Sequence, residues 1–113
     1  MATITKEFLS GSTNGRGIKI VATATAGTLL HAAHATAKDE VFLWVTNTDT
    51  VERKVTVEFG GVTAPDDNLV MSIPAGETLL VLPGLVASGS VNVRAFGAAA
   101  NVLVAFGFVN RIS

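Results

Sequence analysis

The sequence predicts a single-domain, all-β protein, either an antiparallel β-sandwich or a jelly-roll-like barrel of about eight short strands. Val, Thr, Ile and Phe recur throughout, and Gly interrupts them at short intervals. The segment Arg53–Phe59 alternates strictly between apolar and polar residues, which is typical of a half-buried strand. Turn signals return every ~8–12 residues, a spacing typical of sandwiches and barrels. A chain of 113 residues fits one domain.

The strands follow from these patterns. In Arg53–Phe59 we expect the apolar residues Val55, Val57 and Phe59 to face the core. The alternate residues Lys54, Thr56 and Glu58 are expected to face solvent or a partner. Residues 40–47 are apolar on both faces, which predicts that both faces are covered. The other predicted strands are 4–9, 17–25, 28–33, 69–73, 78–82, 91–96 and 102–110.

Short polar or Gly/Pro segments between the strands predict reversals. Residues 48–51, 74–77 and 97–100 suit hairpin loops. Pro83-Gly84 suits the two central positions of a type II turn, which would end the preceding strand. The Ala-rich residues 30–38 allow at most a turn or two of helix.

Two parts of different character are predicted: residues 1–16, an N-terminal arm with a flexible Gly-rich loop, and residues 17–113, the sandwich domain. Residues 1–10 are interpreted as an arm, or as an edge strand that pairs with a neighbour. Ile4, Phe8 and Leu9 make this segment a candidate clamp on a neighbouring subunit or a shell.

Composition excludes several classes of protein. Cysteine is absent, so disulfide scaffolds, Cys-based metal sites and thiol nucleophiles are excluded. The net charge of −1 shows no excess of Lys and Arg, so no direct binding of nucleic acid is expected. The apolar runs are far shorter than the ~18 residues of a membrane span. The first residues lack a basic segment followed by an apolar core, so no signal peptide is expected.

No set of residues predicts catalysis. Residues 11–17 are rich in Gly but lack the Lys-Ser or Lys-Thr of a phosphate-binding loop. His31 and His34 are too few for a closed zinc site, and Asp66-Asp67-Asn68 lacks the spacing of a calcium loop. No Gly-x-Ser-x-Gly elbow occurs. We therefore expect no enzyme activity, no cofactor and no bound metal.

The surplus of apolar strand surface predicts self-association. Charged residues make up only 15% of the chain, and several strands are apolar on both faces. A two-layer sandwich buries one face of each sheet, so the second faces need a partner. Phe42 and Trp44 are the candidate anchors of such a contact, with Arg94 and Arg111 as candidate polar contacts at its rim.

From about residue 27 onward, a strand ending in Asn-Thr is followed by Gly-Gly, by a Pro-Gly corner and by a last strand closing with Asn-Arg-Ile. These features lie in residues 27–31, 39–48, 55–61, 82–85 and 107–112. In these segments the sequence resembles small virion structural proteins of tailed bacteriophages.

The resemblance implies a non-enzymatic, oligomeric capsid decoration protein that binds and stabilises the head shell. It implies a location on the capsid surface after assembly in the host cytoplasm. The implied partners are further copies of the chain, with a trimer favoured, and the major capsid protein or other virion proteins. A neck, tail or head-fibre accessory protein is the nearest alternative. A carbohydrate- or receptor-binding sandwich module is the alternative from another class.

The absence of a metal-binding pattern gives a first testable prediction. Because a ligand that binds only the folded state raises the melting temperature, removing a bound metal would lower it. We expect the melting temperature to stay unchanged after treatment with a chelator, as measured by circular dichroism. A drop of several degrees would indicate a site near His31 or Asp66.

Overall fold

The computed structural model describes residues 2–113, which form nine strands in two antiparallel sheets. No helix occurs within this range. The all-β prediction is confirmed, with one strand more than the expected eight. The strands are β1 (Ile4–Phe8), β2 (Ile18–Ile20), β3 (Thr28–Ala32), β4 (Lys38–Asn47), β5 (Arg53–Phe59), β6 (Asn68–Ile73), β7 (Thr78–Ala87), β8 (Asn92–Gly97) and β9 (Leu103–Ile112).

The two sheets form an open sandwich, and not a closed barrel. The five-stranded sheet has the order β1-β9-β4-β7, and β2 pairs with β9 beyond the end of β1. The four-stranded sheet has the order β3-β8-β5-β6. From β3 onward the chain changes sheet at every connection except that between β5 and β6. This is the strand order of a two-sheet jelly roll.

The three predicted hairpins are wrong. Residues 48–51, 74–77 and 97–100 each connect strands that lie in different sheets, so they cross the sandwich instead of joining hydrogen-bonded neighbours. Turn residues show where the chain reverses, but they do not show which strand it will pair with. Within residues 2–113, the one pair of consecutive strands that hydrogen-bond to each other is β5 and β6.

The predicted turn at Pro83-Gly84 is also wrong, because β7 continues through it to Ala87. Phe42 on β4 pairs with Pro83, and the next residue toward the start of β4, Val41, pairs with Leu85. Gly84 is therefore an extra residue in a β-bulge, with φ of 98°. Since β7 is an edge strand, Pro83 can remain in it without breaking the sheet.

The core lies between the sheets and is formed by the inward residues of both. Val55 and Val57 are fully buried, and Phe59 packs against the core, as the alternation of β5 predicted. The expectation for the opposite face of β5 is only partly correct. Lys54 is exposed, but Thr56 and Glu58 are buried.

Residues 2–16 lie against the sandwich. β1 pairs along its whole length with β9 of the same chain, and the Gly-rich residues 11–17 connect it to β2. The predicted arm therefore takes the form of an edge strand whose pairing partner belongs to its own chain. Met1, the first residue of that predicted arm, lies outside the described residues.

The register of β5 can be tested with an aspartate scan. Val57→Asp would place an unpaired charge in the core, so we expect it to abolish folding or lower the free energy of unfolding by several kcal/mol. Ser72→Asp is the control, because Ser72 is exposed on the neighbouring strand β6 and should change stability by no more than about 0.5 kcal/mol. Urea denaturation measures both variants, and equal midpoints would contradict the register.

Candidate interaction surface

The outer face of the five-stranded sheet carries two rows of apolar side chains. The register of β1, β9, β4 and β7 aligns Phe8, Phe108, Phe42 and Pro83 in one row. The next row along the strands aligns Phe106, Trp44 and Leu80. Alternate residues of a strand point to the same face, so both rows point away from the core. We call these seven residues the aromatic band.

The centre of the aromatic band is a set of stacked rings. The centroids of the Phe42 and Phe108 rings are 5.0 Å apart, and the two ring planes differ by 16°. The Trp44 and Phe108 centroids are 6.1 Å apart. The Lys6 ammonium lies 4.8 Å from the centroid of the Phe108 ring, close enough for a cation–π contact. This packing organises the rings into one continuous apolar surface.

The aromatic band remains open to solvent. Phe8 is 59% exposed, and Phe106 and Leu80 are each 41% exposed. Two neighbours on the same face, Ile4 and Val86, are exposed as well. These five are half of the ten large apolar side chains that are exposed within residues 2–113. Large contiguous apolar patches are uncommon on monomers and mark interaction sites.

The four-stranded sheet differs, because the chain itself covers the part of its outer face around Glu58. Residues 21–27 lie across that face and bring polar groups to Glu58, which is 1% exposed. The Glu58 carboxylate accepts hydrogen bonds from the Thr25 hydroxyl and, at 2.6 Å, from the Gly27 N–H. The Arg94 guanidinium donates to the Gly27 carbonyl at 3.1 Å. This segment accounts for the burial of Glu58 despite its outward position.

A buried polar cluster links the two sheets at one end of the sandwich. Asp39 on β4 is fully buried, and its Oδ2 lies 2.7 Å from Nε2 of His31 on β3. Nδ1 of His31 accepts a hydrogen bond from the Ser10 N–H at 3.0 Å, so the proton that binds Asp39 sits on Nε2. Arg111 on β9 donates from Nε to Oδ1 of Asp39 at 2.8 Å and from Nη2 to Oδ2 at 3.1 Å.

These contacts determine the charge state of Asp39. Burial raises the pKa of the carboxyl. The hydrogen bonds from Arg111, His31 and the His34 N–H together outweigh burial and lower the pKa from 3.8 to about 2. Both carboxylate oxygens of Asp39 and both ring nitrogens of His31 are bonded within the chain, and His31 is only 1% exposed. The cluster therefore joins β3, β4 and β9.

The structure separates the seven candidate interface residues into three groups. Ile4, Phe8, Phe42 and Trp44 share the outer face of the five-stranded sheet. Leu9 lies in the core of its own chain at 1% exposure, so it is not available to a neighbour. Neither arginine lies at the rim of the aromatic band: one is on the four-stranded sheet and the other binds Asp39. These two are Arg94 and Arg111.

Four residues of the aromatic band were not among the interface residues that the sequence predicted: Leu80, Pro83, Phe106 and Phe108. Residues 102–110 were predicted as a strand that is apolar on both faces, but nothing in the sequence showed which face points outward. The register of β9 against β4 supplies that information, because it aligns Phe108 with Phe42 and Phe106 with Trp44. The small residues of this strand, such as Ala105, lie on its inner face, and this sequence feature could have indicated which face points inward.

The candidate metal positions remain apart from one another. Within residues 2–113 no three His, Asp or Glu side chains are grouped so that they could hold an ion. His34 Nδ1 accepts hydrogen bonds from the N–H groups of Thr36 and Ala37. Asp67 accepts one from the Thr63 N–H. No helix in the described range is long and apolar enough to cross a membrane.

Comparison with known proteins adds no family. The sequence matched no protein-family model, and a search of curated proteins returned no match.

The Asp39 cluster predicts how stability depends on pH. Because folding lowers the pKa of Asp39 from 3.8 to about 2, its charge stabilises the fold above pH 3.8, and this stability is lost as the pH falls toward 2. A shift of this size corresponds to about 2 kcal/mol. In urea denaturation we expect Asp39→Asn to be less stable than wild type at neutral pH. The two proteins should converge in acid, and a difference independent of pH would contradict this account.

Proposed function

We propose that this chain is a non-enzymatic structural protein of a tailed-bacteriophage virion, and that it decorates the head shell as a homo-oligomer and stabilises it. One observation carries the proposal: the chain leaves the aromatic band open across the outer face of the five-stranded sheet, where half of the large exposed apolar side chains of residues 2–113 lie. The resemblance in sequence supports the same function. The jelly-roll strand order agrees with it, since viral capsid proteins are among the users of that fold.

The size of the open surface suits association. Aromatic side chains bury ~150–250 Å² each, so covering the exposed parts of the aromatic band and its neighbours removes on the order of 500 Å² from water. At ~25 cal/mol per Å² this contributes on the order of 12 kcal/mol. Association costs about 4–15 kcal/mol in lost motion. Because a contact buries area on both partners, half of the band together with its complement on a second copy contributes an amount within that range.

Different parts of the surface suit different partners. We assign the contact between copies to the half of the aromatic band on β4 and β7, where Phe42, Trp44, Leu80 and Pro83 lie together. The half on β1 and β9, which includes Phe8, is left for the shell, together with Ile4 on the same face. A trimer is the state that the resemblance favours, and its closed symmetry needs one patch and its complement on each subunit.

A sugar-binding module is the competing function. Such modules stack sugars on exposed aromatic rings and orient them with polar side chains. The two rows of the aromatic band contain no polar side chain, and the amide and carboxylate in the adjoining row, Asn110 and Glu40, are hydrogen-bonded to each other. The structural function is therefore preferred, and a glycan array is the direct test of the alternative.

Self-association can be tested with two exposed residues on opposite sheets. Leu80→Asp places a charge on the aromatic band, and we expect it to convert the oligomer to an 11.6 kDa monomer in light scattering. Val70→Asp is the matched control on the edge strand β6 of the other sheet, where Val70 is 56% exposed, and it should leave the oligomer intact. A wild-type monomer at micromolar concentration would contradict the proposed contact.

The position in the virion is tested by counting copies. Mass spectrometry of purified particles gives the number of copies per particle. Hundreds of copies are expected for a protein that decorates the head shell. A handful would instead indicate a neck or tail protein.

A further inference from the structure

Two clefts flank the Gly-rich residues 11–17 at the β1 and β2 edge of the five-stranded sheet. The first has a volume of about 430 Å³ and lies between β1 and β9. The second has a volume of about 370 Å³ and lies between residues 11–17 and β9. Both clefts adjoin the half of the aromatic band that the contact between copies leaves free.

The two clefts share one composition, in which phenyl rings and a cation lie together. Phe8, Phe108 and Lys6 line the first cleft together with Glu7, whose carboxylate also acts on Arg111, and Phe106 and Arg16 line the second. Two cations against one carboxylate leave the lining of the two clefts positive. Lys6 already lies over the Phe108 ring. No carboxylate within residues 2–113 lies within 4.0 Å of the charged nitrogens of Lys6 or Arg16. Both cations are therefore free to pair with a carboxylate from outside the chain.

Gly15 and Gly17 lie beside the clefts at positions where a larger residue would crowd the phenyl rings. A Cβ atom at Gly17 would lie 2.6 Å from a Val104 methyl carbon and 2.7 Å from the Phe106 ring. A Cβ atom at Gly15 would lie 3.2 Å from the Phe8 ring, and its φ of 84° also favours glycine. The backbone of residues 11–17 thus approaches the rings closely enough to form walls against them.

We propose that these clefts bind an acidic, apolar segment of another virion protein, whose aromatic or aliphatic side chains enter the clefts and whose carboxylates face Lys6 and Arg16. The proposal rests on the proposed function, because it identifies the chemistry of the shell partner. The positive charges of Lys6 and Arg16 favour a partner that carries carboxylates. A neutral apolar segment would cover the two cations without pairing them, and a basic segment would be repelled.

Hydrocinnamate is a suitable probe, since it joins a phenyl ring to a carboxylate, and hydrocinnamamide is its uncharged control. We expect hydrocinnamate to shift the backbone NMR signals of Gly15, Gly17 and Phe106 saturably. The amide should bind about two- to fivefold more weakly, as expected for the loss of an exposed ion pair. Added salt should weaken the binding of hydrocinnamate and leave that of the amide unchanged.

Variants connect the binding to the two cations. Arg16→Gln should reduce the affinity for hydrocinnamate to that of the amide at the cleft reported by Gly17 and Phe106, and Lys6→Gln should do so at the cleft reported by Gly15. Lys54→Gln, which removes an exposed cation on the other sheet, should leave it unchanged. Equal binding of acid and amide, or an absence of shifts at Gly15 and Gly17, would overturn the proposal.

The same variants separate this inference from the proposed function. Light scattering on Arg16→Gln and Lys6→Gln should show the wild-type oligomer, because neither residue belongs to the self-contact on β4 and β7. If hydrocinnamate fails to bind while the oligomer and the copy number persist, the clefts are not the partner site and the structural function stands. If the wild-type protein is a monomer and absent from particles, the proposed function itself fails.

Discussion

The structure depends on β4, a central strand that is apolar on both faces. Its inward residues, including Val41, Leu43 and Val45, are fully buried and form the middle of the core. Its outward residues Phe42 and Trp44 cannot reach that core, because a sandwich of two sheets covers only one face of each. The inward residues of β4 therefore form part of the core, and its outward residues form part of the aromatic band, which is open to solvent in the single chain.

Buried polar groups fix the position of the two sheets relative to each other. Asp39 is buried, yet three donors from three different parts of the chain keep its carboxyl ionised. Removal of one partner would leave buried charge or a buried donor unpaired, which is far more costly than the loss of a surface ion pair. Glu58 is likewise buried, on the four-stranded sheet, and its carboxylate accepts hydrogen bonds from residues 21–27. Each buried carboxylate thus connects segments that are distant in sequence.

Sequence and structure agree where the relevant pattern is local. The alternation of β5 predicted its bounds and its core face, because side chains alternate between faces in any strand. The pattern failed at Glu58, since nothing in β5 shows that residues 21–27 cover its outer face. It failed again at Pro83, which reads as a turn in isolation and is accommodated by a bulge on an edge strand. Leu9 was expected at an interface for the same reason: its burial depends on the distant strands that surround it.

The sequence by itself determined that this protein is all-β, that it has more apolar strand surface than one sandwich buries, and that Phe42 and Trp44 lie on one face. These properties depend on composition and on the two-residue period of a strand, which the sequence contains in full. Only the tertiary structure decided that consecutive strands alternate between sheets. It also aligned β9 with β4 to complete the aromatic band, and it separated Arg94 and Arg111 from that surface. Strand pairing and burial depend on contacts between residues far apart in the chain, and local patterns do not specify those contacts.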